Sequence, residues 1–132
     1  MRYLLDTDIC IYLIRRRPPQ VLERFRQCQI GDIGISCVTL AELYYGAAKS
    51  QFPERNLRAL EAFILPLEVM PFDLAAATAY GPVRATLERR GTPIGAMNMM
   101  IAAHALSLRV VLVTNNASEF ARVPGLRVEN WA

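Results

Sequence analysis

Residues 1–17 read MRYLLDTDICIYLIRRR, and this stretch decides the fold. A short apolar run, Tyr3–Leu5, stops at Asp6, as a buried strand stops where the chain leaves the sheet. Asp8 can cap a helix running through Ile14, with an Asx-turn around Asp6 as the alternative. The segment Arg15–Pro19 breaks that helix, and Pro19 can start a second one to about Cys28. Outward from this strand–helix unit the alternation continues. Gly31–Asp32 precede a second strand, Ile33–Ser36, and a helix over Thr39–Ala48. Phe52–Pro53–Glu54 restart a helix to about Ile64, and Leu67–Met70 reads as a third strand. Asp73 caps an alanine-rich helix ending at Arg89–Arg90–Gly91. Ala96–Leu108 is a further helix, Val110–Val113 a β-branched fourth strand and Leu126–Glu129 a fifth. Strands alternating with helices predict an α/β/α sandwich around a parallel sheet of four to five strands. Sites in such sheets form beyond the carboxyl ends of the strands. Asp6 lies just past strand one, and Thr114–Asn116 just past strand four.

The chain has 132 residues, 53% hydrophobic and 20% charged, which suits one packed domain over 1–132 and excludes disorder. No repeat, low-complexity tract or linker interrupts it. Asp6 and Asp8 break the N-terminal apolar run, so it does not read as a secretory signal, and no stretch is long enough to span a membrane. The expectation is a cytoplasmic protein. Cys10, Cys28 and Cys37 form no C-x-x-C pair, and His104 is the sole histidine, so neither a disulfide framework nor a zinc site is expected. The net charge is +3, and Lys49 is the only lysine among 15 basic residues. Arginine's planar fork suits phosphate and stacked bases, which makes nucleic acid a reasonable partner.

Several polar residues stand where apolar ones belong. Glu42 is the only charged residue from Ile33 to Ala48. Asn98 interrupts GAMNMMIAAHAL, Asp6 ends an apolar strand, and Glu119 sits in NNASEF. Buried charges are costly unless paired or bound to a metal. Acids spaced so far apart in sequence can converge on one cation. Each also has a local reading: Glu42 on a solvent-facing helix edge, Asn98 as an N-cap, Glu119 as a first-turn acid, Thr114 and Asn116 as turn residues. His104 reads as a core histidine.

Taken together, LLDT, TLAELYYGA, GAMNMMIAAHA and LVTNNASEF resemble the PIN-domain ribonucleases, and more closely the VapC toxins of bacterial toxin–antitoxin pairs. The resemblance covers nearly the whole chain, including PERNLRALEAF and VPGLRVENW. It implies that Asp6, Glu42, Asn98 and Glu119 are the catalytic and metal-holding positions, for Mg²⁺ or Mn²⁺. Thr7, Thr114 and Asn116 fall in the supporting pocket. Asn98 departs from the family pattern, which has an aspartate there as a principal metal ligand. An amide can still coordinate through its oxygen, but it brings no negative charge.

Hard divalent ions take oxygen ligands and activate water for phosphodiester hydrolysis, so no serine or histidine nucleophile is needed. Arg15, Arg16, Arg17, Arg24 and Arg26 can contact an RNA backbone or simply form a solvated basic face. The resemblance further implies cleavage of initiator tRNA in the anticodon region, inhibition of translation, a homodimer, and a VapB-type antitoxin lying in the acidic groove. An alternative is a non-catalytic PIN-fold subunit that binds antitoxin or RNA and has lost cleavage through Asn98. A phosphoacceptor domain is disfavoured because it wants a lysine after a late strand, and Lys49 falls in a helix.

Overall fold

The computed structural model describes residues 1–132. Its elements in chain order are β1 (Tyr3–Leu5), α1 (Thr7–Arg15), α2 (Pro19–Arg26), β2 (Ile33–Ser36), α3 (Cys37–Ala48) and α4 (Pro53–Ile64). There follow β3 (Glu68–Met70), α5 (Leu74–Arg89), α6 (Ala96–Leu108), β4 (Val111–Val113), α7 (Ala117–Phe120) and β5 (Val128–Glu129). The five strands form one sheet in the order β3-β2-β1-β4-β5, with every pairing parallel. The expected sandwich is therefore observed, at the upper of the two strand counts.

β1 occupies the middle of the sheet and is buried on both faces. Leu4 joins one core with Leu112 of β4, Val83 and Leu87 of α5 and the apolar body of α6. Tyr3 and Leu5 point the other way, into a core with Ile33 and Ile35 of β2 and with side chains of α1 to α4. This explains why β1 reads as a continuous apolar run rather than an alternating one. Each fully buried aliphatic side chain contributes roughly 1.5–3 kcal/mol relative to exposure. The two cores together hold the strand ends in place.

Two local expectations need correction. Asp6, not Asp8, is the N-cap of α1: its Oδ1 accepts from Ile9 N at 3.1 Å. The strand passes into the helix without an intervening loop, so the first aspartate already meets the free N–H groups. Asn98 is not a cap either. Gly95 occupies that position, and Asn98 is the third residue of α6. Asp73 does cap α5, through Ala76 N at 3.0 Å. The short helix α7 was anticipated only through the reading of Glu119 as a first-turn acid, without bounds.

The C-terminal strand is closed by an aromatic contact. Trp131, which is 6% exposed, meets the Tyr3 ring edge-on at 5.2 Å. Arg24 lies over it, its guanidinium carbon 5.0 Å from the indole centroid, and the indole N–H donates to Glu129 Oε1 at 3.0 Å.

β2 and β3 approach too closely for any side chain at Gly34. A Cβ there would meet the Glu68 carbonyl oxygen at 2.7 Å and the Met1 sulfur. Gly34→Ala is expected to lower the urea midpoint, destabilising by about 1–3 kcal/mol as overpacking does. An unchanged midpoint would show that this strand pair yields easily.

Candidate active site

β1 and β4 end side by side, and the residues that follow them are tied together. Asp6 N donates to Val113 O at 2.9 Å, and Thr114 N donates to Glu129 O at 2.9 Å, fixing both strand ends. Asp6 is 4% exposed and Thr114 is fully buried. The Thr114 hydroxyl donates to Asp6 Oδ2, while Asp6 Oδ1 serves as the α1 cap. Asn116 N in turn donates to Thr114 Oγ1 at 2.9 Å, and Asn116 Nδ2 donates to Glu119 Oε2. Three hydrogen bonds thus connect Glu119 of α7 to Asp6. Glu42 enters from α3, and Thr7, the residue after Asp6, donates its hydroxyl to Glu42 Oε1 at 2.7 Å.

The electrostatics of this cluster are unbalanced. Burial pushes the Asp6 carboxyl up to about 6, against the lowering effect of its hydrogen bonds from Thr114 and Ile9. The negative charges of Asp8 and Glu42 push it in the same direction as burial. The ion pairs of the fold, Arg24–Glu129 and Arg84–Glu88, lie elsewhere, so no basic side chain neutralises Asp6, Glu42 or Glu119. A buried carboxylate among other acids, with no counter-charge, is stabilised by a cation.

Asn98 stands apart from the hydrogen-bonded acids. It is half-buried in the first turn of α6, and its amide nitrogen turns back towards Gly95. As they stand, no three Asp, Glu, His or Cys side chains form a group able to hold a metal ion. In kind, the oxygen donors of Asp6, Glu42, Glu119 and Asn98 fit a hard divalent ion. In charge, the set holds three carboxylates, and position 98 adds only a neutral amide.

His104 is structural, as read. It is 1% exposed, packs edge-on against Phe72 at 5.4 Å, and its Nδ1 lies 2.8 Å from Ser36 Oγ. Ser36 Oγ also accepts from Val38 N at 3.0 Å as the α3 cap, so the His104–Ser36 pair ties α6 to the start of α3. Burial lowers the His104 pKa, which keeps the ring neutral. Arg15, Arg16, Arg17 and Arg26 are exposed. Arg24 is committed to the protein itself, donating to Tyr3 Oη at 3.2 Å and lying over the Trp131 ring.

Two features escaped the sequence reading. The double duty of Asp6, one oxygen capping a helix and the other accepting from Thr114, was masked by the second candidate in D-T-D. The helix carrying Glu119 is a single turn, too short for periodicity to reveal. Its signal was Asn116 three residues before an acid, the spacing of a helix start, although here the two side chains bond each other rather than the backbone.

A five-stranded parallel sheet flanked by helices is the PIN fold, and the PIN domain model matches residues 3–126. The chain belongs to the PIN-domain family, in its VapC branch. It is 51% identical over 132 residues to a tRNA(fMet)-specific endonuclease VapC of Shigella flexneri, covering 100% of this chain and 99% of the relative. A protein of the same description from Salmonella typhimurium is 48% identical, with 99% and 98% covered. Among solved structures, DNA-bound VapBC from Salmonella typhimurium matches with a TM-score of 0.95 at 48% identity, covering 100% of this chain and 99% of that one. VapBC2 of Rickettsia felis bound to a promoter DNA fragment gives 0.94 at 39% identity, with both chains fully covered.

Proposed function

We propose that this chain is a metal-dependent endoribonuclease toxin that cuts initiator tRNA in the anticodon region and is weakened as written by Asn98. The observation that carries this reading is the linked set of Asp6, Thr114, Asn116 and Glu119, with Thr7 holding Glu42 beside it. The name shared by the Shigella and Salmonella relatives supports the substrate.

Asp6, Glu42, Glu119 and position 98 would hold Mg²⁺ or Mn²⁺. Such an ion supplies water activation and charge neutralisation at the scissile phosphate. The protein's own groups do the positioning. Thr114 fixes the rotamer of Asp6, Thr7 directs Glu42, and Asn116 orients Glu119. The exposed Arg15, Arg16, Arg17 and Arg26 supply positive charge for the RNA backbone, with Arg24 bracing the helix that carries Arg26.

Partners follow from the same site. Acids without a counter-charge suit an arginine of a VapB-type antitoxin, and the solved VapBC complexes support that partner. Exposed Tyr44, Tyr45, Phe52 and Leu57 on and between α3 and α4 support a protein-binding surface, and with it the homodimer. No helix is long and apolar enough to cross a membrane, in keeping with cytoplasmic action on tRNA. The competing reading, a non-catalytic subunit, draws on the missing charge at position 98.

The deciding experiment incubates the Asn98→Asp chain with total tRNA and maps the ends produced, with Mg²⁺ or with EDTA. A single Mg²⁺-dependent cut in the initiator tRNA anticodon region is expected, and purified antitoxin should suppress it. Random or EDTA-resistant products would overturn the assignment, and no products at all would favour the binding subunit.

Thr7 offers a finer check. In the Asn98→Asp background, Thr7→Val should reduce cleavage about tenfold, since a hydrogen bond to a charged group is worth roughly 1.5–3 kcal/mol. Thr7→Ser should recover it, because the hydroxyl returns. Equal rates for the valine and serine variants would remove Thr7 from the site.

A further inference from the structure

A cavity of about 360 Å³ opens beside the acid cluster, between α1, α3 and α4. Its size falls in the range of small-molecule sites. Ile11, Ile14, Leu43 and Leu60 give it aliphatic walls, and Glu42 stands on its border. Arg15 and Lys49 also line it, and neither has an ion-pair partner. One wall offers a free acceptor. Ser50 Oγ donates to Ala47 O at 2.7 Å, so it can only accept from Asn56, whose Nδ2 lies 2.8 Å away. That fixes the amide orientation and leaves Asn56 Oδ1 without a partner. An aliphatic slot with one amide oxygen and two cations that lack a carboxylate partner, Lys49 resting 4.8 Å from the Tyr45 ring centroid, matches a flat, N–H-bearing, anionic ligand.

We propose that this cavity is the subsite for one unstacked nucleobase of the RNA, beside the scissile phosphate. The assignment rests on the nuclease reading given above. Because Glu42 borders both the cavity and the acid cluster, a strand whose phosphate lies at the cluster can place an adjoining base here. Leucine and isoleucine side chains replace the lost stacking contacts. Asn56 Oδ1 accepts from the base edge, and Arg15 and Lys49 meet the flanking phosphate. A peptide of ordinary charge would leave both cations unanswered, so the rim favours a polyanion.

Gly46 lines the cavity from within α3, and a Cβ there meets nothing within 4 Å. Gly46→Leu therefore fills the slot while improving helix propensity. The probe is the anticodon stem-loop of initiator tRNA as an RNA hairpin, with 2-aminopurine at single loop positions. It is bound to the present Asn98 chain in EDTA, so that nothing is cut. Binding should brighten the fluorescence at one position only, because that base leaves its stacked neighbours for aliphatic walls. Gly46→Leu should abolish the brightening and weaken binding at least fivefold, and Arg15→Gln should weaken binding by a similar factor. Tight binding with no position brightened, or with Gly46→Leu unchanged, would overturn the subsite. So would a Gly46→Leu effect confined to inhibition by antitoxin, which would assign the cavity to a peptide. If the hairpin does not bind at all, cleavage by the Asn98→Asp chain shows which reading has failed: normal cutting sinks the subsite alone, and no cutting sinks both.

Discussion

Asn98→Asp is expected to raise Mg²⁺-dependent cleavage of initiator tRNA by at least 10–100-fold. Disturbing even the surroundings of a metal's ligands costs that much, and a ligand's own charge should be worth no less. The change barely alters shape, since the amide and the carboxylate have the same outline. Folding should be nearly indifferent. Position 98 is the third residue of α6, where a carboxylate gains from the helix N-terminus about what it loses to the other acids. The measurement compares single-turnover rates of the two chains, with circular dichroism confirming equal folding. If the present chain already cuts as fast as Asn98→Asp, position 98 is no ligand and the metal assignment falls.

Asp6→Asn should separate stability from activity. The folded carboxyl sits at about 6 against an ordinary 3.8, chiefly because it is buried. Below pH 3.8 both states hold the proton and the group imposes no penalty. As the pH rises through 6 the folded state must ionise within the core, so this contribution to stability is lost. A difference of roughly two units corresponds to about 3 kcal/mol. Asparagine cannot ionise and remains a good N-cap. In EDTA at pH 8 the variant should therefore unfold at higher urea, by less than that amount because its Nδ2 cannot accept from the Thr114 hydroxyl, and the advantage should fade on acidification towards pH 4. In the Asn98→Asp background the same substitution should reduce cleavage by at least 100-fold, as loss of a principal ligand does. A variant no more stable than the parent at pH 8 would mean that Asp6 is already neutralised in the folded chain.

The fold was legible in the sequence because the inner strands β1, β2 and β4 are short runs of mostly apolar residues bounded by a polar residue, glycine or arginine. Ile33–Ser36 and Ala96–Leu108 come out at the expected residues, and β1 betrays its central position by being apolar on both faces. Strand order was not legible. It depends on which helices cover which face, and that is a property of long-range packing. Within the candidate site, Asp6, Glu42, Asn98 and Glu119 stood out as polar residues in apolar surroundings, and Thr114 by its place just past strand four. The links Thr7–Glu42 and Asn116–Glu119 did not, because Thr7 and Glu42 are 35 residues apart in the chain and α7 is only one turn long. Arg24 shows the opposite limit. In sequence it belongs to a basic run open to RNA, whereas in space it lies over an indole and bonds a tyrosine.

That indole gives the molecule a natural optical reporter. Trp131 is the only tryptophan, and it leans on Tyr3, the first residue of the strand whose far end leads directly into Asp6. In the native state the ring is shielded and lies beside a cation, and unfolding hands it to water, so its emission is expected to shift. Fluorescence of the unlabelled chain therefore follows the integrity of the very strand that presents the central carboxylate. Every comparison of variants at positions 6, 34, 46 and 98 can be made on the same intrinsic signal, with no dye attached and no tryptophan introduced.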